Sequence, residues 1–482
     1  MIARYAASMG SAGAGGILAM ITSLLLGRLM GPSGFGTVAL SQAVVLFALV
    51  VAQLGLVATG ARYIAAAMGE EHLDECWRLA IFLFLVMLGS SILMSVALWY
   101  LSPLIGSQMA SEGIASALYH FTPFGPFIGL LYWSSMVLKG MGWNVVQAFY
   151  ESFLLPASTL ALAVPSWCYY ESVDAVILAY GAAYASTALI SAVTAKSCLP
   201  GQDKTRSAKP ATSRRELLWQ STPLALSGIG NRLLRRGDIL VVGSILGDSA
   251  AGLYRAGNTV ATVVRPLLRA ASAFALHHLA RSHGMKRSGF MRSHFGLNLH
   301  ISLLVTLPIA FVAIIMATEL LTLLFGPQYT DAAPVVQILA VAEIIMVGIG
   351  PLQTMYGVYK ANWMRLTITL LAAPTAVLTS AALAPLFGVA GAAVGSLIGL
   401  IILAVGLLVY GLQKLHIGSI LDSVRVKNSF FCIITAFGIA NIEIETLALK
   451  ACIALAGAII WAASEYAHCC KWADQLRKTD HR

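Results

Sequence analysis

LGRLMGPSGFGTVALSQ (residues 26–42) and VGSILGDSAAGLYRAGN (residues 242–258) are one phrase written twice, 216 positions apart. Gly27, Gly31 and Gly36 of the first fall on Gly243, Gly247 and Gly252 of the second. A second pair, LIGSQ from Leu104 and LFGPQ from Leu324, repeats at an offset of 220. Two matches at nearly one offset point to an internal duplication rather than to chance likeness of short turns. The offset spans an even number of predicted helices, so the copies run in parallel, related by an axis along the membrane normal.

The surrounding composition is that of a membrane protein. Of 482 residues, 58% are hydrophobic and 11% charged, and the mean hydropathy is +0.80; soluble domains carry about 25% charged residues. Apolar runs recur along the whole chain, each long enough to cross a hydrocarbon core of about 30 Å as a helix. Predicted spans lie at 9–28, 37–60, 79–102, 115–138, 143–167 and 173–195, then at 217–246, 250–277, 295–324, 334–358, 364–386 and 389–413. A weaker pair follows at 429–446 and 449–467. The expected fold is thus an all-α polytopic protein of about fourteen transmembrane helices. A first lobe (1–195) and a second (217–413) would be pseudo-symmetric and enclose a central cationic cavity. A basic cytoplasmic linker (196–216) would join them, and residues 414–482 would add a helix pair and a cytoplasmic tail. The opening apolar region outruns a signal peptide and reads as an uncleaved first span.

The net charge of +10 reports topology rather than nucleic-acid binding. With the N-terminus in the cytoplasm, the termini and even-numbered loops hold 23 of the 31 Lys and Arg residues; the odd-numbered loops hold two, Arg28 and Lys450. This asymmetry follows the positive-inside rule and puts both termini in the cytoplasm. The seven cysteines have neither metal-ligand spacing nor a disulfide framework. No HExxH, Walker or closely paired aspartate sequence marks a metal-dependent enzyme or an ATP-driven pump. No catalytic residue, metal or cofactor is expected.

The remaining six basic residues lie inside predicted spans seven and eight. Arg232, Arg235 and Arg236 stand in NRLLRRGDIL (231–240), and Asp238 continues their polar arc. Arg255, Asn258, Thr262, Arg265 and Arg269 occupy a helical sector of about 80°. Each arginine near a span's centre costs about 2.5–3.5 kcal/mol if it faces lipid. Arg232 lies about 22 Å from either end of its span, beyond snorkelling; Arg269 is close enough to the cytoplasmic end to snorkel. Asp238, one turn from Arg235, and Glu151 are candidate charge partners. Glu343 and Glu319 complete the acids within predicted helices, and the sequence brings none of Glu151, Glu343 and Glu319 close to the arginines. A positive excess therefore remains, and arginine's planar fork suits a phosphate or pyrophosphate.

LLLGRLMGPSGFGTVAL with LGLVATGARYIA, GDILVVGSILGDSAAGLYRAGNTV, and the series LLFGPQYTDAAPVVQILA, YGVYKANW and LFGVAGAAVGSLIG together resemble bacterial polysaccharide flippases. These are the O-antigen and exopolysaccharide lipid-carrier exporters of the multidrug/oligosaccharidyl-lipid/polysaccharide superfamily. The resemblance implies a two-lobed, alternating-access carrier in the bacterial inner membrane, working as a monomer beside other polysaccharide assembly proteins. It would flip an undecaprenyl-pyrophosphate-linked oligosaccharide from the cytoplasmic to the periplasmic leaflet. Arg232, Arg235, Arg236, Arg255 and Arg265, with Arg269 less centrally, would line its cavity. The alternatives are a lipid II flippase, a multidrug/cation antiporter of the same superfamily and, from another class, a membrane enzyme of polysaccharide assembly.

A periplasm-dependent phosphatase is expected to report strongly when fused after Asp248 or Tyr329, and weakly when fused after Lys204 or Lys286. High activity at Lys204 would reverse the orientation.

Overall fold

The computed structural model describes residues 2–69, 72–111, 113–199, 214–263, 265, 288–358, 362–414, 435–436, 439–440 and 447–480. Among them every regular element is a helix: α1 (Ile2–Ala52), α2 (Leu56–Gly69), α3 (Leu73–Gln108), α4 (Ile114–Phe121), α5 (Gly125–Gly140), α6 (Asn144–Ala148), α7 (Leu155–Tyr170), α8 (Val173–Cys198), α9 (Arg214–Ala261), α10 (Ser288–Ile315), α11 (Ala317–Leu324), α12 (Ala333–Val358), α13 (Asn362–Lys414) and α14 (Leu447–Asp480). A π-helical turn, Phe149–Leu154, joins α6 to α7.

Nine helices among the described residues are long and apolar enough to cross a bilayer, or ten if the bent pair Leu299–Ile315 and Ala317–Leu324 is one span. Three of the nine, Gly13–Ala52, Ser221–Ala261 and Trp363–Gln413, run for 40, 41 and 51 residues. At 1.5 Å per residue these reach about 60–75 Å, twice the hydrocarbon thickness. Each is broken at a glycine with non-helical backbone: Gly31 (φ 71°, ψ 177°), Gly247 (φ 86°, ψ −174°) and Gly388 (φ 60°, ψ −143°). Only glycine takes that conformation without strain. Each long helix therefore holds two of the predicted spans. Predicted span 429–446 falls almost wholly outside the described residues, as does the second half of span eight, so the total of fourteen stays an expectation.

The breaks also support the duplication. Gly31 and Gly247, aligned in the repeat, have the same backbone turn. The agreement continues in packing. A Cβ on Gly36 would sit 1.8 Å from the carbonyl oxygen of Asp248, and one on Gly252 would sit 1.9 Å from that of Pro32. Pro32 and Asp248 are themselves equivalent in the repeat, so the two copies make one contact reciprocally. Nearby, Ala110 N–H donates to the Ser244 carbonyl at 3.3 Å, and the Ser111 hydroxyl donates to Asp248 Oδ1 at 2.5 Å.

Packing divides the chain into two compact units, Met1–Gly252 and Leu253–Arg482. The division lies one helix beyond the linker that separates the repeats, because the first part of α9 is sealed onto the first unit through glycines. A Cβ on Gly55 would meet the Ala225 nitrogen at 2.5 Å, and one on Gly243 would meet Leu40 Cδ2 at 2.1 Å. Lipid offers no hydrophobic gain for helix association, so close approach and van der Waals contact hold such helices together. The first unit's core gathers Leu56, Ile64, Leu83, Met87 and Met136, with Trp133 Nε1 donating to the Ala80 carbonyl at 2.8 Å. Several hydroxyls within helices bond back to their own turn, as Thr22 does to Leu18 and Ser95 to Ser91, which meets their donors without a partner helix.

In the second unit α10 packs along α14, and α12 along α13. A Cβ on Gly457 would strike the Phe311 ring at 2.1 Å, and the Tyr356 hydroxyl donates to the Leu407 carbonyl at 2.7 Å. Two charge contacts tie α14 to its neighbours. His300 Nδ1 lies 2.8 Å from Glu465 Oε2, both side chains buried, and Lys450 Nζ lies 2.6 Å from Glu319 Oε1.

Gly36→Val and Gly252→Val are each expected to lower the melting temperature in detergent by several degrees, because the contacted atoms are backbone and cannot swing aside. Gly89→Ala, where the new methyl meets nothing within 4 Å, is expected to be neutral or stabilising. Equal effects at all three positions would dismiss the close contact.

Candidate functional site

The predicted arginines fall in both units. Arg232, Arg235 and Arg236 stand in the middle of α9 within the first unit, and Arg255 and Arg265 belong to the second. Arg269 lies outside the described residues. Helical spacing puts Arg232 and Arg236 one turn apart; both are half-buried, whereas Arg235 is exposed.

Arg232 is met by a neutral group. The Tyr132 hydroxyl, on α5, hydrogen-bonds with the side chain of Arg232, and Glu151 acts on it through charge. Tyr184, on α8, lies in the fields of Arg236 and Arg232. The first unit thus places the Tyr132 and Tyr184 hydroxyls within electrostatic range of the arginine turn, and the Glu151 carboxylate within range of Tyr132. Glu151, expected as a charge partner, accepts a hydrogen bond from Gln147 Nε2. A phenol satisfies guanidinium donors without cancelling the positive charge, which an acid would do.

Two irregularities of backbone build this wall. The predicted span 37–60 is interrupted at Gln53–Gly55, where Leu54 and Gly55 take positive φ (50° and 71°). The break turns the buried Gln53 toward Tyr132. It brings Gly55 against the α9 backbone at Ser221 and Ala225, where a Cβ would meet atoms at 2.5–2.6 Å. Glu151 rides on the π-helical turn, a bulge common at functional sites because it re-aims side chains. A Cβ on Gly15 would collide with the Ser152 carbonyl, so α1 lies directly on that turn. Sequence periodicity shows neither irregularity. Gln53, Tyr132, Gln147 and Tyr184 were not among the expected site residues; a lone glutamine before Leu-Gly in an apolar span was the one available signal.

The second unit treats its arginine differently. Arg265 Nε donates to Glu343 Oε1 at 2.8 Å, and Nη2 donates to the same oxygen. The sequence had given no reason to bring Glu343 to Arg265; the fold does so across 78 residues. Its charge is therefore balanced within the unit, and the excess read from sequence shrinks by one. Glu319 is likewise taken, by Lys450. Arg255 is half-buried on α9, its carbonyl accepting from the Thr259 hydroxyl at 2.9 Å. Asp238 Oδ1 accepts from the Ile239 N–H at 2.8 Å.

Comparison with solved structures finds the same fold in transporters. An inward-facing multidrug resistance MATE family transporter of the MOP superfamily superposes with a TM-score of 0.67 at 13% identity, covering 84% of this chain and 96% of its own. The lipid II flippase MurJ, in an inward closed conformation, superposes with a TM-score of 0.71 at 13% identity, covering 97% of this chain and 99% of its own. Comparison with curated protein sequences returns no match. The family model described as polysaccharide biosynthesis protein matches residues 3–276. With more than half its length matched, this multi-pass membrane chain belongs to the polysaccharide biosynthesis protein family.

Proposed function

We propose that the protein flips an undecaprenyl-pyrophosphate-linked oligosaccharide from the cytoplasmic to the periplasmic leaflet of the bacterial inner membrane. Arg232, Arg235 and Arg236 would receive the pyrophosphate and any acidic sugars, joined by Arg255. Arg265 and Arg269 would complete the set of arginines offered to the substrate. The observation that carries this reading is the arginine turn at the middle of α9. Residues 231–240 hold three arginines against the single acid Asp238, and Arg232 is met by the Tyr132 hydroxyl. A carrier for an anion needs that retained charge; a helix with only a structural use for arginine would match it with carboxylates.

The two repeats, 1–195 and 217–413, would act as rocking lobes around the cationic cavity, with 414–482 as an accessory pair and both termini cytoplasmic. The reciprocal contact of Gly36 and Gly252 would close the periplasmic mouth. The protein would act as a monomer, alongside other polysaccharide assembly proteins, and without performing chemistry. A lipid II substrate is the second reading, favoured by the likeness to MurJ over 97% of this chain; it shares the pyrophosphate carrier and differs in the sugar. A multidrug/cation antiporter is disfavoured by the sign of the charge.

Arg232→Ala and Arg236→Ala are expected to abolish surface glycan while leaving the protein in the membrane, and Lys to rescue only in part. Tyr132→Phe is expected to reduce export several-fold, with no further loss when added to Arg232→Ala. Normal glycan display by the double Arg232→Ala, Arg236→Ala variant would remove the proposed role. Rescue of growth in cells depleted of their lipid II flippase would move the assignment to the second reading.

A further inference from the structure

The pair Arg265–Glu343 is asymmetric in a way that a plain structural ion pair has no need to be. The arginine side chain is 30% exposed and the glutamate 5%. Both contacts from the guanidinium, through Nε and Nη2, go to one carboxylate oxygen, Oε1. Glu343 thus uses one edge of the fork and does not engage the Nη1 edge. The backbones differ too. Glu343 sits within the uninterrupted α12. Arg265 follows the end of α9, where the bonding tightens to Val263 N–H to the Val260 carbonyl and Arg265 N–H to the Thr262 carbonyl. A buried, fixed carboxylate thus holds a more accessible guanidinium at an irregular point in its span.

We propose that Glu343 is a built-in counter-anion for Arg265 that the phosphate oxygens of the substrate displace during binding. This rests on the reading of the protein as a carrier of pyrophosphate-linked lipid. A carboxylate and a phosphoryl group offer guanidinium the same oxygen acceptors. In the empty carrier Glu343 satisfies Arg265, which would otherwise stand in the membrane without an acceptor. The substrate exchanges for it, and Arg265 returns to Glu343 as the substrate leaves. The exchange weakens binding and so favours release, which a carrier must also accomplish. Glu343 is a specificity-determining residue on this account, since only a ligand with strong anionic acceptors can compete for the guanidinium.

The test uses the purified full chain in phosphatidylcholine nanodiscs, with undecaprenyl pyrophosphate as probe and neutral undecaprenol as control. Glu343→Gln is expected to bind the pyrophosphate about tenfold more tightly than the native protein, because a neutral amide competes poorly. Arg265→Gln is expected to bind about tenfold more weakly, and the double variant to match Arg265→Gln, since no guanidinium remains to compete for. The swap Arg265→Glu with Glu343→Arg rebuilds the pair, but puts the acid on the accessible side. It is expected to keep its melting temperature and lose pyrophosphate binding. Unchanged affinity in Glu343→Gln, or native affinity in a folded swap, would overturn the exchange while leaving the carrier reading intact. If the native protein failed to prefer the pyrophosphate over the alcohol, both would fall.

Discussion

A guanidinium inside a hydrocarbon layer about 30 Å thick must be met by protein, because neither water nor lipid can meet it there. That constraint is resolved in two ways along this chain, with opposite electrical consequences. Arg265 is met by a carboxylate, which satisfies its donors and cancels its charge. Arg232 is met by the Tyr132 hydroxyl, which supplies an acceptor and leaves the charge in place. The first solution makes a neutral pair; the second keeps a cation where an anion could find it. Much of the first unit's irregular backbone serves the second solution. The break at Gln53–Gly55 sets the Gln53 amide near Tyr132, and the π-helical turn carries Glu151 to within electrostatic range of the same hydroxyl.

Helices in lipid gain little from burying apolar surface against each other, so approach distance decides their packing. The glycines carry that burden at specific points. Gly36 and Gly252 each stand against a carbonyl of the other repeat copy, and the symmetry of the contact accounts for their alignment in sequence. Gly31 and Gly247 are aligned for a different reason, since their shared backbone turn lies in a region closed to other residues. One repeated phrase therefore encodes both the turn and the contact that follows it.

What could be read in advance divides along the same line. Hydropathy and glycine spacing are local, so the spans, the duplication and the arginine turn were all legible. Partners are not local. Glu343 meets Arg265 across 78 residues, Glu319 meets Lys450 across 131, and His300 meets Glu465 across 165. No helical period records such pairings, and composition registers only that more arginines than acids lie in the spans. The Gln53 break was missed for a related reason. Gly55 is one small residue in an apolar run, and what requires it, the α9 backbone at Ser221 and Ala225, lies more than 160 residues away.

The distribution of acids sharpens the contrast between the units. Among the described residues of the second unit, Glu319, Glu343 and Glu465 each lie against a basic side chain on another helix. Two of these contacts involve α14, far along the chain from α10 and α11, and act as fasteners between helices whose apolar surfaces are indifferent to lipid. Such fasteners suit a scaffold because removing either partner strands the other. On α9 the balance is reversed, with three arginines and one aspartate inside ten residues. A span with that imbalance gains nothing in stability from its extra cations; each raises the cost of insertion and demands acceptors from neighbouring helices. On the proposed reading the excess is reserved for the substrate's phosphates, and the Tyr132 hydroxyl gives Arg232 an acceptor that carries no charge of its own.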